Sequence, residues 1–125
     1  MKWKILIISH GNLAESMVKV ASAIMGNTDN LVFLGLKGDE SREAFISRLE
    51  SCTNEDCEYI VLADLMSGTP FNAAFILKQK RKNFHLAVGY NLPFLLTLLN
   101  DQNTNLEDAL QDAIKTGKQM IFQVE

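Results

Sequence analysis

The feature that most constrains the fold is the alternation of strand-like and helix-like patterns along the chain. Short apolar runs that predict buried strands cover residues 4–9, 31–36, 58–64 and 84–91. A segment with helical periodicity or helix-start signals follows each run. Four strand-then-helix repeats predict an α/β fold with an open, mainly parallel sheet, because parallel strands require crossover connections and helices on both faces of the sheet.

Five helices are predicted from periodicity and from start and stop signals. They cover residues 12–25, 38–52, 69–81, 92–101 and 104–119. The expected helix-start residues are Asp39 for the second helix, Thr69 followed by Pro70 for the third, and Thr104 with Glu107 as a capping box for the fifth. The last apolar segment, MIFQV at 120–124, is a candidate for a short C-terminal strand.

Length and composition predict a single domain spanning residues 1–125. A chain of this size buries roughly two-thirds of its unfolded surface, so it needs neither a metal nor a disulfide to fold. The formal net charge of -3 argues against nucleic-acid binding, which a basic surface usually accompanies. The apolar run near the N-terminus is too short for a signal peptide, and no run reaches membrane-spanning length. We therefore expect a cytoplasmic protein with two reduced cysteines, Cys52 and Cys57, whose spacing fits no zinc or thioredoxin motif.

Sites in open parallel sheets form beyond the carboxyl ends of the strands. That rule selects three loops, at residues 10–12, 64–69 and 90–92. His10 ends the first predicted strand and Asp64 ends the third, so the two side chains lie at the same edge if these strands are neighbours. An aspartate beside a histidine accepts the proton of one ring nitrogen and leaves the other nitrogen with an outward lone pair. That nitrogen can act as a base, a metal ligand or a nucleophile.

The residues around this pair favour a nucleophile that carries a phosphoryl group. A metal site would need further ligands, and the edge offers neither a second histidine nor a cysteine, so we expect no metal and no cofactor. Two helix starts lie at the edge instead, and helix N-termini bind phosphate through free N–H groups. The predicted phosphate-binding residues at these starts are Gly11, Ser67, Gly68, Thr69, Phe71 and Asn72. The Thr69 hydroxyl has two possible tasks, capping the helix or contacting the phosphate.

Three motifs in this order, ISHGNLAESM, LADLMSGTPFNAA and VGYNLPFLLTLL, give the chain a family resemblance. The sequence resembles the enzyme IIA domains of the mannose family of the sugar phosphotransferase system, from the first strand to about residue 118. The resemblance implies a phosphotransferase that accepts a phosphoryl group from the carrier protein HPr on His10. It implies onward transfer to an enzyme IIB domain, which serves the membrane components IIC and IID. Asp64 matches the aspartate that holds the histidine ring, and Thr69 matches a hydroxyl residue that is often serine.

The same resemblance implies details of architecture and assembly. The sheet is expected to have the strand order 2-1-3-4, with the C-terminal strand at 120–124 antiparallel and exchanged between the subunits of a homodimer. Peripheral association with the membrane transporter would follow from the partners. The sequence departs from the family in the turn before Gly68, where Ser67 stands in place of a common glycine. That departure is expected to alter docking rather than chemistry.

Three other functions compete with this interpretation. A two-component receiver domain would phosphorylate Asp64 with magnesium, but it needs acidic residues after the first strand, where this chain has Ser9, His10 and Gly11. The phosphotransferase subunit of a dihydroxyacetone kinase has a similar first motif, although GTPFNAA and VGYNLPFL favour the mannose family. A non-catalytic interaction module of the same fold would have no need for the intact pair of His10 and Asp64.

Overall fold

The computed structural model describes residues 3–125 and contains four strands and five helices in that range. The strands are β1 (Trp3–His10), β2 (Leu31–Leu36), β3 (Glu58–Ala63) and β4 (Phe84–Val88). The helices are α1 (Leu13–Met25), α2 (Arg42–Ser51), α3 (Thr69–Lys80), α4 (Leu92–Asn100) and α5 (Leu106–Gln119). Strands and helices alternate through α4, as the sequence predicts.

The strands form one parallel sheet in the order β2-β1-β3-β4. This confirms the predicted α/β class, the open parallel sheet and the strand order. The chain moves outward from β1 to β2 in one direction and from β3 to β4 in the other. The switch point of the topology therefore lies between the carboxyl ends of β1 and β3, where open α/β sheets place their sites.

Helices cover both faces of the sheet, and β1 is buried on both. Ile5 and Ile7 face a core that includes buried residues of α1, α4 and α5, while Leu6 and Ile8 face a second core with α2 and α3. All four side chains are fully buried. A continuous apolar run, rather than an alternating one, is what a central parallel strand requires. Trp3, at the start of β1, is buried in the first of these cores.

Several predicted boundaries and caps are wrong. Ser41, not Asp39, caps α2 by accepting the Ala44 amide, and Asn105, not Thr104, caps α5 by accepting the Asp108 amide. β4 ends at Val88 rather than at residue 91, because Gly89 adopts φ of 84° and turns the chain. Residues 120–124 form no strand within the single chain, and the predicted exchange of this segment between two subunits stays a prediction. The described helices include none long and apolar enough to cross a membrane.

An ion pair fixes the loop between β2 and α2. The Arg48 guanidinium donates from Nε to Glu40 Oε2 at 2.7 Å and from Nη2 to the Gly35 carbonyl at 2.7 Å. The hydrogen bond from Arg48 lowers the pKa of Glu40 to about 2, against the opposing effect of burial. Helix α2 is thereby tied to the end of β2, next to the turn that follows His10.

Replacing Glu40 with Gln is expected to lower the free energy of unfolding by about 1 kcal/mol at neutral pH, because a charge-assisted pair becomes a neutral one. The folded pKa of Glu40 lies below its ordinary value near 4.5, so the pair stabilises the fold fully above that value. The stability is lost as pH falls through 4.5 toward 2. Urea unfolding of both proteins from pH 7 to pH 3 measures the difference, and a gap that stays constant across this range contradicts the assignment.

Candidate functional site

His10 is the last residue of β1, at the carboxyl edge of the sheet. Its side chain is 45% exposed, although the strand that carries it is buried. Gly11 follows with φ of 54° and turns the chain into α1. The edge of a rigid central strand thus presents an accessible imidazole, which is a suitable position for a group that has to meet a second protein.

Asp64 directly follows β3 and holds His10 through two hydrogen bonds. Its Oδ2 accepts the His10 backbone amide at 3.0 Å and lies 2.9 Å from His10 Nδ1. The amides of Ile5 and Gly11 donate toward β2, so alternation along the strand directs the His10 amide toward β3. The carboxylate of Asp64 accepts the His10 amide in the way that a further β3 carbonyl would in a longer sheet. The sheet ladder therefore sets the position of both members of the pair.

The charge of Asp64 is well defined. Burial by itself raises the pKa of this carboxyl, but the hydrogen bonds from the His10 amide, the His10 ring and the Leu65 amide outweigh burial and lower it. Asp64 is therefore an anion at neutral pH and accepts the proton of His10 Nδ1. The ring tautomer that follows has a free lone pair on Nε2.

Gly68 lies directly against that free nitrogen. A Cβ atom at this position would be 2.8 Å from His10 Nε2 and 2.9 Å from His10 Cε1, closer than side-chain atoms pack. Gly68 also adopts φ of 95°, which other residues seldom adopt. The glycine keeps Nε2 open and lets backbone come within reach of any group bound to it.

The N-terminus of α3 supplies the second half of the site. The prediction that Thr69 caps this helix is wrong: Gly68 is the N-cap, no side chain caps the helix, and Pro70 lies in its first turn. Within residues 3–125 the hydroxyl of Thr69 and the amides of Gly68, Thr69 and Phe71 have no hydrogen-bond partner. A helix start with unpaired donors beside the free ring nitrogen suits an anion.

The remaining predicted residues differ in what they offer. The Gly11 amide donates to the Leu36 carbonyl at 2.9 Å, and the Asn72 amide donates to the Gly68 carbonyl at 3.0 Å. Both backbone donors are thus already engaged. Ser67 is exposed in the turn before Gly68. No group of three or more His, Cys, Asp and Glu side chains arranged to hold a metal occurs in the described part of the chain.

Two residues of the site region, Ser9 and Gly35, were not predicted, whereas Tyr90 lies in the loop at residues 90–92 that the strand-end rule selects. Ser9 is fully buried, and its Oγ accepts the Ala14 amide at 2.8 Å, a bond that the α1 N-cap, Asn12, does not make. At Gly35 of β2 an added Cβ would lie 2.1 Å from the Gly11 carbonyl oxygen, so only glycine fits beside the His10 turn. Tyr90 donates its hydroxyl proton to the Ile8 carbonyl at 3.2 Å. The serine in ISHG and the glycine in LVFLGL are visible in the sequence, but their partners are not.

Fold and site together define an open α/β domain with a histidine–aspartate pair at its topological switch point. The family model described as PTS system fructose IIA component matches residues 4–115. The chain therefore belongs to this family of sugar phosphotransferase IIA components, which confirms the resemblance drawn from the three motifs.

Individual relatives agree with the family. The chain is 30% identical to the fructose-specific EIIA component of Bacillus subtilis strain 168 over 125 residues, which cover 96% of this chain and 84% of that one. It is 25% identical over 120 residues to the mannose-specific EIIAB component of Escherichia coli strain K12, covering 92% of this chain and 37% of that longer protein. The chain thus spans little more than a third of the EIIAB relative.

Solved structures show the same fold. The mannose/sorbose-specific IIA subunit of the phosphotransferase system from Enterococcus faecalis superimposes with a TM-score of 0.91 at 21% identity. The alignment covers 100% of this chain and 96% of that one. At this identity the likeness concerns the architecture, which is the β2-β1-β3-β4 sheet with its helical layers.

Proposed function

We propose that the protein is a phosphocarrier that accepts a phosphoryl group on Nε2 of His10 and passes it to a second protein during sugar uptake. One observation carries the proposal: Asp64 Oδ2 lies 2.9 Å from His10 Nδ1, while Nε2 faces the open space that Gly68 leaves. The pair provides a nucleophile of fixed tautomer, and the start of α3 provides donors for an anion.

The phosphoryl transfer requires only the two histidines, because one N–P bond forms as the other breaks. The lone pair of His10 Nε2 attacks the phosphorus of a phosphohistidine on HPr, a new N–P bond forms, and the donor imidazole leaves with the electrons of the old N–P bond. The proton on Nδ1 stays between the ring and Asp64, whose negative charge stabilises the ring as it becomes cationic. Onward transfer to an enzyme IIB domain is the same displacement with His10 as the leaving group.

The donors at the start of α3 match the needs of a carrier. Unpaired amides of Gly68, Thr69 and Phe71, together with the Thr69 hydroxyl, would surround the phosphoryl oxygens, with Ser67 at the exposed side. The predicted phosphate site contains no arginine or lysine. Neutral donors hold an anion more weakly than a guanidinium does, so the phosphorylated form is stable enough to accumulate and labile enough to transfer.

Apolar side chains around the site are available for docking the partner proteins. Leu65 and Met66, which directly follow Asp64, are 55% and 70% exposed. Phe71 in α3 stacks on Phe75 with ring centroids 5.9 Å apart, and Phe75 is 50% exposed. Leu13 at the start of α1 is 47% exposed on the other side of His10. A partner that brings its own histidine to Nε2 would cover these side chains.

Reconstitution tests the function. The protein is incubated with phosphoenolpyruvate, enzyme I and HPr, and then with a IIB domain or with the partner kinase subunit of a dihydroxyacetone kinase. We expect a phosphoryl adduct that requires HPr and moves to the IIB domain. Transfer to the kinase subunit alone supports the dihydroxyacetone kinase alternative. If no adduct forms with active HPr, the proposal fails and the interaction module becomes the better account.

We also propose that two copies of this chain form a homodimer. β4 is an edge strand, and the Tyr59 amide donates to Asn83 while the Gly89 amide donates to Ala63. Successive residues of a strand direct their backbone N–H and C=O groups to opposite sides, so those of residues 84, 86 and 88 point away from β3 and have no described strand beside them. Lys78 Nζ already donates to the Phe84 carbonyl at 2.9 Å, which leaves the groups at 86 and 88 to pair with another strand.

A groove of about 500 Å³ runs along this edge between α3 and α5, and its walls include Leu86, Leu110 and Ile114. The C-terminal tail, residues 120–125, is strongly apolar and packs poorly on its own chain, since Ile121 is 75% and Val124 is 81% exposed. A free apolar tail and an unpaired edge strand are both liabilities, and one exchange between two copies removes both. We propose that each tail pairs antiparallel with β4 of the other copy.

Deleting residues 120–125 is expected to convert a dimer into a monomer, because the deletion removes the pairing strand and its apolar side chains from the groove. Sedimentation equilibrium at micromolar concentration measures the change. Val20→Ser, which alters a 42% exposed side chain on α1, is the control and should leave the dimer intact. An undeleted chain that sediments as a monomer under these conditions excludes the exchange.

As a IIA component the chain would act in the cytoplasm, as one domain comprising residues 1–125, and meet the membrane components IIC and IID only through IIB. Fractionation of cells expressing the protein tests this location. Recovery in the cytoplasmic fraction, with a part at the membrane when IIB, IIC and IID are present, is the expected result.

A further inference from the structure

Tyr90 lies below the His10 turn and has no part in the proposed transfer itself. It follows β4 through Gly89, whose amide donates to the Ala63 carbonyl at 2.9 Å and whose φ of 84° turns the chain toward β1. The ring is partly buried against the core shared by α1, α4 and α5. Its hydroxyl donates to the Ile8 carbonyl at 3.2 Å. A residue 82 positions away in the chain thus contacts the strand two residues before His10.

Ser9, the residue between Ile8 and His10, is fully buried. Its Oγ accepts the Ala14 amide at 2.8 Å, which ties the end of β1 to the first turn of α1. The Tyr90 hydroxyl ties the loop after β4 to the same end of β1 through the Ile8 carbonyl. The two hydroxyls thus restrain the residues directly before the one that carries the nucleophile.

The phenol is held in its neutral form. Burial, and next the negative charge of Asp64, raise the pKa of Tyr90 far above its ordinary value, and the Ser9 hydroxyl opposes this only in part. Tyr90 is therefore a permanent hydrogen-bond donor at any pH where the protein works. A fixed donor at the Ile8 carbonyl restrains the carboxyl end of β1. This end of the strand directs the His10 amide and ring to Asp64.

We infer that Tyr90 is a positioning residue that holds the end of β1 in the register in which His10 Nδ1 meets Asp64. Tyr90 acts through the Ile8 carbonyl, its hydrogen-bond partner, and not through a hydrogen bond to His10. The expected effect of Tyr90 on the rate of phosphoryl transfer rests on the proposed function. The positioning itself is a property of the unphosphorylated protein and can be measured there.

Tyr90→Phe removes the hydroxyl and keeps the ring in its core. We expect the His10–Asp64 bond to open more often, so the ring nitrogens shift toward the mixed tautomer values of a free histidine in nitrogen-15 NMR spectra. We also expect a roughly threefold to tenfold fall in the turnover rate with HPr, at unchanged KM, since small losses of alignment cost this much in rate.

Tyr59→Phe is the matched control, because the chain has only two tyrosines. Tyr59 is buried in the core on the other face of the sheet, and its hydroxyl accepts the Asn54 amide far from the site. The inference predicts that Tyr90→Phe moves the His10 ring signals and Tyr59→Phe does not. It is overturned if both variants leave those signals unchanged, or if Tyr90→Phe lowers only the melting temperature.

The same experiment distinguishes the positioning role of Tyr90 from the carrier function of His10. If His10 of the wild-type protein accepts no phosphoryl group but Tyr90→Phe still shifts its ring signals, the positioning role stands and the carrier function fails. If transfer proceeds normally in both variants and the ring signals are unchanged, the carrier function stands and the positioning role fails.

Discussion

Asp64→Asn is expected to slow phosphoryl transfer from HPr by roughly 10³-fold while the fold persists. The carboxylate accepts both the amide and the Nδ1 proton of His10, whereas an amide side chain carries donors of its own. With Asn at this position a donor can face Nδ1, which moves the ring proton to Nε2 and removes the lone pair that attacks. The cationic ring of the transition state also loses its counter-charge.

Rapid-quench measurement of single-turnover transfer from phosphorylated HPr gives the rate, and thermal unfolding checks the fold. Glu40→Gln is the control, since it makes the same chemical change in an ion pair away from the nucleophile. The lowered pKa of Asp64 adds a pH signature. The Asp64 carboxylate stabilises the folded protein fully above the pKa that Asp64 has in the unfolded chain. This stabilisation is lost as pH falls through the lower pKa of Asp64 in the folded protein, so the free energies of unfolding of wild type and Asp64→Asn should converge in acid. An unchanged transfer rate refutes the orienting role.

Gly68→Ala is expected to reduce transfer by about 10²-fold or more, because the added methyl group would occupy the approach to the nucleophile. The built Cβ lies 2.8 Å from His10 Nε2, so either the ring or the start of α3 has to shift. The φ of 95° adds backbone strain of about 1–3 kcal/mol for any residue with a side chain.

Gly26→Ala separates these two effects. Gly26 has φ of 86°, close to that of Gly68, and a Cβ added there meets nothing within 4 Å. Both variants carry the strain of a positive φ and should lose stability, but only Gly68→Ala, whose added Cβ also meets His10, should lose transfer activity. Equal transfer rates in the two variants would show that Gly68 does not line the path to Nε2.

Local sequence signals were sufficient for the order of the elements and for the main pair of the site. The apolar run of β1 is continuous because both faces of that strand are covered, and this pattern needs no knowledge of distant contacts. The apolar runs of β1 and β3 stop at polar residues, so the sequence also indicates that the two strands end near His10 and Asp64. Once parallel topology is accepted, the switch-point rule brings the two residues to one edge.

The details that were missed depend on contacts between distant parts of the chain or on close local competition. Gly35 is required by the Gly11 carbonyl, 24 positions earlier, and nothing within LVFLGL reveals this contact. Asp39 and Ser41 are both good caps, and in the structure Ser41 has the extended backbone (ψ of 161°) of a cap and accepts the Ala44 amide. Thr69 could not be assigned from sequence, because the φ of Gly68 decides where α3 begins.

The same limit applies to the phosphate site. Glycine next to a histidine at a helix start is a reasonable phosphate ligand, yet the Gly11 amide is turned toward β2 by its bond to Leu36. Alternation along β1 produces that bond, and it is the same alternation that directs the His10 amide to Asp64. The donors left for a phosphoryl group lie on the α3 side of the ring, at Gly68, Thr69 and Phe71.

The most direct test of the carrier account uses the two histidines of the chain, His10 and His85. His85 lies on β4 with its Nε2 2.7 Å from Glu58, and it serves as the internal control. Wild type, His10→Ala and His85→Ala are incubated with phosphoenolpyruvate, enzyme I and HPr, and their intact masses are measured before and after mild acid. We expect one acid-labile phosphoryl adduct in wild type and His85→Ala and none in His10→Ala. An adduct that persists in His10→Ala contradicts the carrier function.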